Sequence, residues 1–274
     1  MVLPTPDVHA TCLITGASSG IGAEIARGLA RRGHGVTLVA RRRAPLVELA
    51  SEISAEHGVS VEVVVADVSD GQERRRMLAE VRKRKRHVSV LVNNAGFGSG
   101  GSFTELDLDH EVSMVQTNVE AIVGLCGACL PDMRERGAGA VLNLASLIAF
   151  QPVPFQATYG ASKAFVLSFS EALNEELRGS GVSVSAVCPG PVRTGFGAAG
   201  GFGGADERIP GVLWLSAQQV AVAALDGLQR GERVIVPGAV NRIASLYGQH
   251  LPRTLLLPLV RRFWPVGEGT RPTG

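Results

Sequence analysis

Thr15-Gly16-Ala17-Ser18-Ser19-Gly20-Ile21-Gly22 is the stretch on which the reading of this chain turns. An apolar run, Cys12-Leu13-Ile14, leads into it, and a helix-forming stretch over 23–32 leads out. In a strand–turn–helix, glycines let backbone come close to a pyrophosphate and set it on a helix N-terminus. Far downstream, Tyr159-Gly160-Ala161-Ser162-Lys163 puts a phenol and an ammonium at i and i+4. They share one helical face, about 6 Å apart along its axis. A nucleotide cradle and a coupled acid–base pair together imply hydride transfer accompanied by proton transfer.

Working outward, short β-branched runs at 11–15, 35–40, 59–65, 88–92, 140–144, 182–188 and 233–236 read as strands. Between them lie predicted helices at 20–32, 45–57, 71–86, 110–136, 158–178 and 216–229. This alternation argues an α/β fold, a doubly wound parallel sheet (Rossmann fold) covered by helices on both faces. At 274 residues the chain fits a single domain, 1–274, with a core of about 10–238 and a C-terminal extension, 239–274. Seven glycines with Phe196, Phe202 and Pro210 fill 195–211. Such a long segment after Pro189-Gly190-Pro191, at the carboxyl end of a strand, favours a mobile lid over a cofactor crevice, with a floppy surface insertion as the alternative.

Composition excludes several classes. With 45% hydrophobic and 19% charged residues the chain is unlike a disordered one. A net charge of +2 is too small to imply nucleic acid, and no such partner is expected. The basic runs Arg74-Arg75-Arg76 and Lys83-Arg84-Lys85-Arg86 read as solvated helix faces. Cys126 and Cys129 have CxxC spacing but sit among Leu125, Ala128 and Leu130, so they read as packed thiols. The histidines show no ligand spacing, and no metal site is expected. The start carries neither a basic n-region nor a long apolar h-region, and no apolar run reaches the ~18 residues of a membrane span. The expected compartment is the cytoplasm.

Further elements follow in order. Asp67-Val68 ends the third strand candidate, where a carboxylate could accept from an adenine amino group. Asn93-Asn94-Ala95-Gly96 follows the fourth, and small residues there let backbone pass close to a ribose. Ser146 ends the fifth and can donate to a carbonyl oxygen. A tyrosine hydroxyl, with a pKa of ~10, can supply a proton, and a nearby ammonium such as Lys163 would lower that pKa toward acid–base work. The second strand ends Ala40-Arg41-Arg42, without the carboxylate that would accept from a ribose 2′-OH. A guanidinium there can grip a 2′-phosphate through paired hydrogen bonds. NADP(H) is therefore the expected cofactor, with Arg41 the main contact and Arg42 the alternative. The plainer reading is an Arg run that caps the next helix.

The set TGASSGIG, NNAG, a mid-helix Asn118, Ser146, YGASK and Pro189-Gly190-Pro191-Val192-Arg193-Thr194, in this order, resembles the short-chain dehydrogenase/reductase family in its single-domain branch, over roughly 11–236. The resemblance implies a catalytic set of Asn118, Ser146, Tyr159 and Lys163. Asn118 would hold a water linking Lys163 to solvent, and Lys163 would also bind the nicotinamide ribose. Pro189, Gly190, Val192 and Thr194 would close over the nicotinamide. Gly16, Ser18, Ser19, Gly20, Ile21 and Gly22, with Asp67, Val68, Asn94, Ala95 and Gly96, complete the implied cofactor contacts. The implied activity is NADP(H)-dependent interconversion of a carbonyl and a secondary alcohol, in a homodimer or homotetramer paired through the helix at 158–178. An isomerase or dehydratase on the same frame is one alternative. A catalytically silent nucleotide-sensing or scaffold protein is another, but it need not keep Ser146, Tyr159 and Lys163.

Candidate pocket residues are apolar: Leu147-Ile148-Ala149-Phe150, Pro152-Val153-Pro154-Phe155, Phe97, Phe196 and Phe202. They suit a small lipophilic substrate such as a fatty ketoacyl chain, steroid, retinoid or long-chain aldehyde; the alternative is that several of them pack the core. In the tail, Leu255-Leu256-Leu257-Pro258-Leu259-Val260 is flanked by Arg253, Arg261, Arg262 and Trp264. Packing back onto the domain is the first expectation. A peripheral membrane contact, a subunit contact and a wall of the substrate entrance are the others.

Overall fold

The computed structural model describes residues 3–194 and 210–263. The expected lid over 195–209, with Phe196 and Phe202, and Trp264 in the tail lie outside the described residues. Near-continuous apolar runs make β1 (Ala10–Thr15), β5 (Gly139–Leu144) and β6 (Val182–Val187) buried at every position. β2 (Val36–Ala40), β3 (Val61–Val65) and β4 (His87–Asn93) complete the central strands. Together with β9 (Val234–Ile235) they pair in parallel in the order β3-β2-β1-β4-β5-β6-β9. Two further short strands, β7 (Val192–Arg193) and β8 (Leu215–Ser216), pair with each other. Strand order reverses between β1 and β4, which opens a crevice above their carboxyl ends. TGASSGIG leaves the sheet from β1 and NNAG from β4, so both meet at that crevice.

A sheet buried on both faces needs two helical layers. One face is covered by α1 (Gly20–Arg31), α2 (Arg43–His57) and α7 (Ala217–Arg230), through Ile25, Leu29, Leu46, Ile53, Leu225 and Leu228. The other is covered by α3 (Gly71–Lys83), α5 (Ala121–Glu135) and α6 (Ala157–Glu176), through Met77, Leu125, Met133 and Val166. Caps set several boundaries. The Asp70 carboxylate accepts from the Gln72 and Glu73 N–H groups, and Ser216 with Gln219 forms a reciprocal capping box. Helix α3 stops at Lys83, before the predicted end, because Lys85 takes a left-handed φ of 57°.

The predicted helix at 110–136 is longer and less regular. It begins at Leu108, because Asp107 caps the Asp109 and His110 N–H groups. Helix α4 (Leu108–Val115) then runs through a π-helical turn, Gln116–Glu120, into α5. The stretch Leu108–Glu135 is long and apolar enough to cross a membrane, yet its Ile122, Leu125, Cys129 and Met133 are buried in the core below the sheet. The tail forms α8 (Ala239–His250) and α9 (Arg253–Phe263), and both fold back onto the domain. Gly248 lies against Phe150, the Arg253 guanidinium donates to the Phe150 carbonyl at 3.4 Å, and Leu256 is buried.

Candidate active site

The glycine turn is held from beneath by two side chains. The Thr15 hydroxyl donates to the Val92 carbonyl at 3.2 Å and accepts from the Asn94 and Ala95 N–H groups at 3.0 Å each. The Asn94 amide then donates to the Thr15 carbonyl at 3.0 Å and the Gly16 carbonyl at 3.1 Å. NNAG thus locks TGASSGIG through β1–β4 pairing. The glycines are required by contact as well as by backbone angle. Gly16 has φ 64°, and a Cβ there would stand 2.8 Å from Asn94 Nδ2. A Cβ on Gly22 would fall onto the same amide nitrogen and lie 2.6 Å from the Gly16 carbonyl oxygen.

Above this turn α1 begins with Ser19 as its N-cap, which makes no side-chain cap hydrogen bond among the described residues. The first turn of α1 carries no acidic side chain. Its N–H groups and positive dipole end are therefore available to an anion, and the donor set fits a diphosphate. Thr194 lies across the turn, its Cγ2 3.3 Å from where a Gly20 Cβ would be. A cleft of about 320 Å³ opens beside Ser18, Ser19 and Gly20, walled by Pro45 and Glu48 of α2.

At the other end of the crevice, Ser146 follows β5, and Tyr159 and Lys163 project from the first turns of α6. Tyr159 and Lys163 are buried, unlike a surface pair with the same spacing. Lys163 Nζ is 5.7 Å from the Tyr159 ring centroid and donates to the Leu144 carbonyl at 2.8 Å. Burial pushes the Tyr159 phenol up to about 12, and a hydrogen bond with Ser146 pulls it partly back. Burial brings the Lys163 ammonium down to about 8, opposed by Cys188. The lowering of Tyr159 expected from Lys163 is thus not the governing effect in this environment; desolvation is.

Asn118 sits fully buried in the π turn. Its Oδ1 accepts from the Phe97 N–H at 3.2 Å, and its Nδ2 donates to the Phe97 carbonyl at 2.9 Å and to Ser162 Oγ at 3.1 Å. A Cβ on Gly96 would stand 2.8 Å from Asn118 Oδ1 and 3.5 Å from Lys163 Nζ. NNAG, the π turn and α6 therefore converge at Gly96. Below them, Asn93 donates to Asn143 Oδ1 at 2.8 Å and Asn143 to Ser170 Oγ at 2.9 Å, tying α6 to the sheet through buried amides.

At the far side, Arg41 is exposed after β2, with Nη1 3.8 Å from Asp67 Oδ2. Asp67 Oδ1 accepts from the Ser69 N–H and hydroxyl at 2.9 and 2.7 Å, while Val68 is buried. Arg42 is the N-cap of α2 without a side-chain cap bond among the described residues.

Of the apolar pocket candidates, Ala149, Phe150 and Val153 are buried, Phe150 also under the tail. Leu147, Ile148, Phe97 and Phe155 are half-buried. Phe155 holds a left-handed φ of 67°, its carbonyl accepting from the Gly101 N–H at 2.9 Å. All four cysteines are buried, and burial pushes Cys126 and Cys129 up to about 12, as suits inert thiols.

One residue was not singled out from the sequence. Asn241 of α8 is buried against Gly190, whose Cβ would lie 2.5 Å from Asn241 Oδ1. Its amide donates to the Leu213 and Pro237 carbonyls at 3.3 and 3.2 Å. The tail helix thereby clamps the segment after β6. Nothing in the local sequence marks that role beyond an Asn near the start of an amphipathic helix.

The family model described as short chain dehydrogenase matches residues 10–200. A ketoacyl reductase of Nostoc sp. is 36% identical over 182 residues, which are 66% of this chain and 63% of that protein. A sulfoacetaldehyde reductase of Chromohalobacter salexigens is 40% identical over 186 residues, 67% of this chain and 73% of that protein. Among solved structures, a short-chain dehydrogenase from Sphingobium yanoikuyae in complex with NADPH superposes with a TM-score of 0.79 at 36% identity, covering 87% of this chain and 92% of that one. With its matching motifs, sheet order and relatives, the chain belongs to the short-chain dehydrogenase family of oxidoreductases.

Proposed function

We propose that this protein is an NADP(H)-dependent oxidoreductase that interconverts a carbonyl and a secondary alcohol on a lipophilic substrate. The observation that carries the reading is the burial of Tyr159 and Lys163 beside Ser146, at the carboxyl end of β5 and across the crevice from an uncapped helix start. Reduced nicotinamide, when bound, supplies a hydride to the carbonyl carbon. Ser146 donates to the carbonyl oxygen, and Tyr159 passes it a proton, for which a phenol held protonated up to about 12 is suited. Lys163 holds the nicotinamide ribose and stabilises the phenolate left behind. Asn118 positions this end by fixing Phe97 and Ser162.

The cofactor contacts divide along the crevice. Gly16, Ser18, Ser19, Gly20, Ile21 and Gly22 take the diphosphate; Asp67 and Val68 take the adenine. Ala95 and Gly96 line the ribose, Asn94 shaping the turn beneath. Pro189, Gly190, Val192 and Thr194 approach the nicotinamide. Arg41 takes the 2′-phosphate, in keeping with the NADPH bound by the Sphingobium relative. Leu147, Ile148, Phe97 and Phe155 favour an apolar substrate, and the Nostoc relative's name points to a ketoacyl group. Exposed Val112, Val115 and Phe165 on α4 and α6 favour pairing of two or four copies there. The chain is a single domain, 1–274, with a core of about 10–238 and 239–274 as its C-terminal extension, and the protein works in the cytoplasm.

The direct test follows the absorbance of reduced nicotinamide while purified protein is offered ketoacyl thioesters, hydrophobic ketones and aldehydes with NADPH or NADH. Consumption of NADPH over NADH with an apolar carbonyl is expected. Arg41→Asp should raise the KM for NADPH by about tenfold or more and leave that for NADH nearly unchanged. Equal effects on both cofactors would move the phosphate contact to Arg42, and absence of turnover with every carbonyl would sink the reading.

A further inference from the structure

Helix α8 turns its apolar side outward. At about 100° per residue, Asn241, Ser245 and Gly248 share one face, and that face is the buried one. The opposite sector carries Val240, Ile243, Leu246 and Tyr247, which are 40, 56, 52 and 61% exposed. Close approach explains the orientation. A Cβ on Gly248 would lie 2.9 Å from Gln151 Oε1 and 3.3 Å from Phe150 Cβ, so only small residues fit inward. Leu255 of α9, 66% exposed, adds to the outward apolar surface of the tail. Single exposed apolar residues are ordinary, but four in one helical sector are not.

Charge says what this face meets. From Arg233 to Phe263 the sequence holds five arginines and no acidic residue. Arg233 pairs with Glu171 at 3.0 Å, and Arg253 is engaged by the Phe150 carbonyl. Arg242 and Arg261 are exposed and enter no ion pair among the described residues. By helical angle Arg242 falls at the edge of the apolar sector, where an interfacial helix carries its cations. A two-fold contact with a second copy would oppose the same patch to itself, bringing arginines together without a carboxylate. An anionic lipid surface offers both the apolar boundary and the counter-charge, with Tyr247 suited to the headgroup level.

We propose that the outward face of α8, formed by Val240, Ile243, Leu246 and Tyr247 with Arg242 at its edge, docks on the surface of an anionic phospholipid bilayer. The docking face is α8, not the apolar stretch Leu255-Leu256-Leu257-Pro258-Leu259-Val260, whose Leu256 is turned into the domain. Helix α8 also covers the 3₁₀ turn Leu147–Phe150 that follows Ser146, so docking brings lipid near the candidate substrate side. The proposal stands apart from the substrate reading, because binding is measured without turnover.

The test sediments the full-length protein with vesicles of phosphatidylcholine, with or without phosphatidylglycerol, and measures NADPH binding in parallel. Wild-type protein should pellet with the anionic vesicles and stay in the supernatant with the zwitterionic ones. Ile243→Asp with Leu246→Asp should weaken pelleting by at least about tenfold, since two large apolar side chains no longer enter lipid. Arg242→Glu should weaken it less, and added salt should mimic that change. Both variants should bind NADPH like wild type, because these side chains lie outside the core. Wild-type protein left in the supernatant, or Asp variants that pellet normally, would overturn the proposal. So would variants that lose subunit association while wild-type protein ignores vesicles, which would give the face to a second copy.

Discussion

At the glycine turn a ligand meets backbone N–H groups at a helix start without a side-chain cap bond among the described residues, whereas beside Ser146 it meets Tyr159 and Lys163, two side chains that burial has moved off their solution pKa values. At the first end, Thr15 and Asn94 are committed to fixing the backbone of the turn, and recognition falls to its N–H groups. The second end is titratable and desolvated. One end therefore recognises charge by geometry and tolerates no added atom. The other is matched to proton movement and responds to single-atom changes in chemistry while its shape is kept. Substitutions at the two ends should fail in separable ways: binding at the turn, turnover at the buried pair.

The largest separation should come from Tyr159→Phe, which removes the proton donor and keeps the ring in place. Turnover should fall by roughly 10²–10⁴-fold with NADPH affinity nearly unchanged. A variant with wild-type turnover would take Tyr159 out of the chemistry. Next in size is Gly22→Ala. The added methyl must displace the Asn94 amide or the Gly16 carbonyl, an overpacking cost of about 1–3 kcal/mol. NADPH binding should weaken by roughly 10–100-fold, with kcat at saturating cofactor largely retained. Titration calorimetry beside steady-state kinetics would reveal the opposite split if the comparison is wrong.

The smallest effect is in pH. Lys163 has a lowered pKa, so its ammonium is complete below about 8 and is lost as pH rises through that value. Tyr159 keeps its proton well beyond, to about 12. The kcat/KM for reduction should therefore be level on the acid side and decline above about pH 8, through Lys163 alone. A profile that stays flat until the phenol ionises would assign no role to the ammonium.

Much of this was legible in the sequence because it is locally encoded. The turn, its helix and the i, i+4 pair depend on residues within one strand–turn–helix or one helix. Strand and helix positions agree within a few residues, the exceptions being set by caps such as Asp107 or a left-handed residue such as Lys85. Other features needed the third dimension. Asn94 supports Gly16 only because β1 and β4 are neighbours in the sheet, 78 positions apart in the chain. Phe150 and Val153 look like pocket residues until the tail and core are laid over them. The same holds for α8, whose buried face of Asn241, Ser245 and Gly248 is set by close approach to Gly190 and Phe150, far away in the chain.

The π-helical turn at Gln116–Glu120 sets regularity against fitness for use. An α-helix gains from even hydrogen bonding, and the wide turn gives some of that up to seat one extra residue. Losing a residue there would restore even winding while rotating everything upstream by about 100° relative to α5. Glu111 and Met114 would leave the interior they now share with Asn118, and the hold on Phe97 and Ser162 would go with them. The helix would improve as a helix and fail as a scaffold. The turn thus gives up local helix regularity and keeps Met114 and Asn118 buried together, with the hold on Phe97 and Ser162 that the crevice needs.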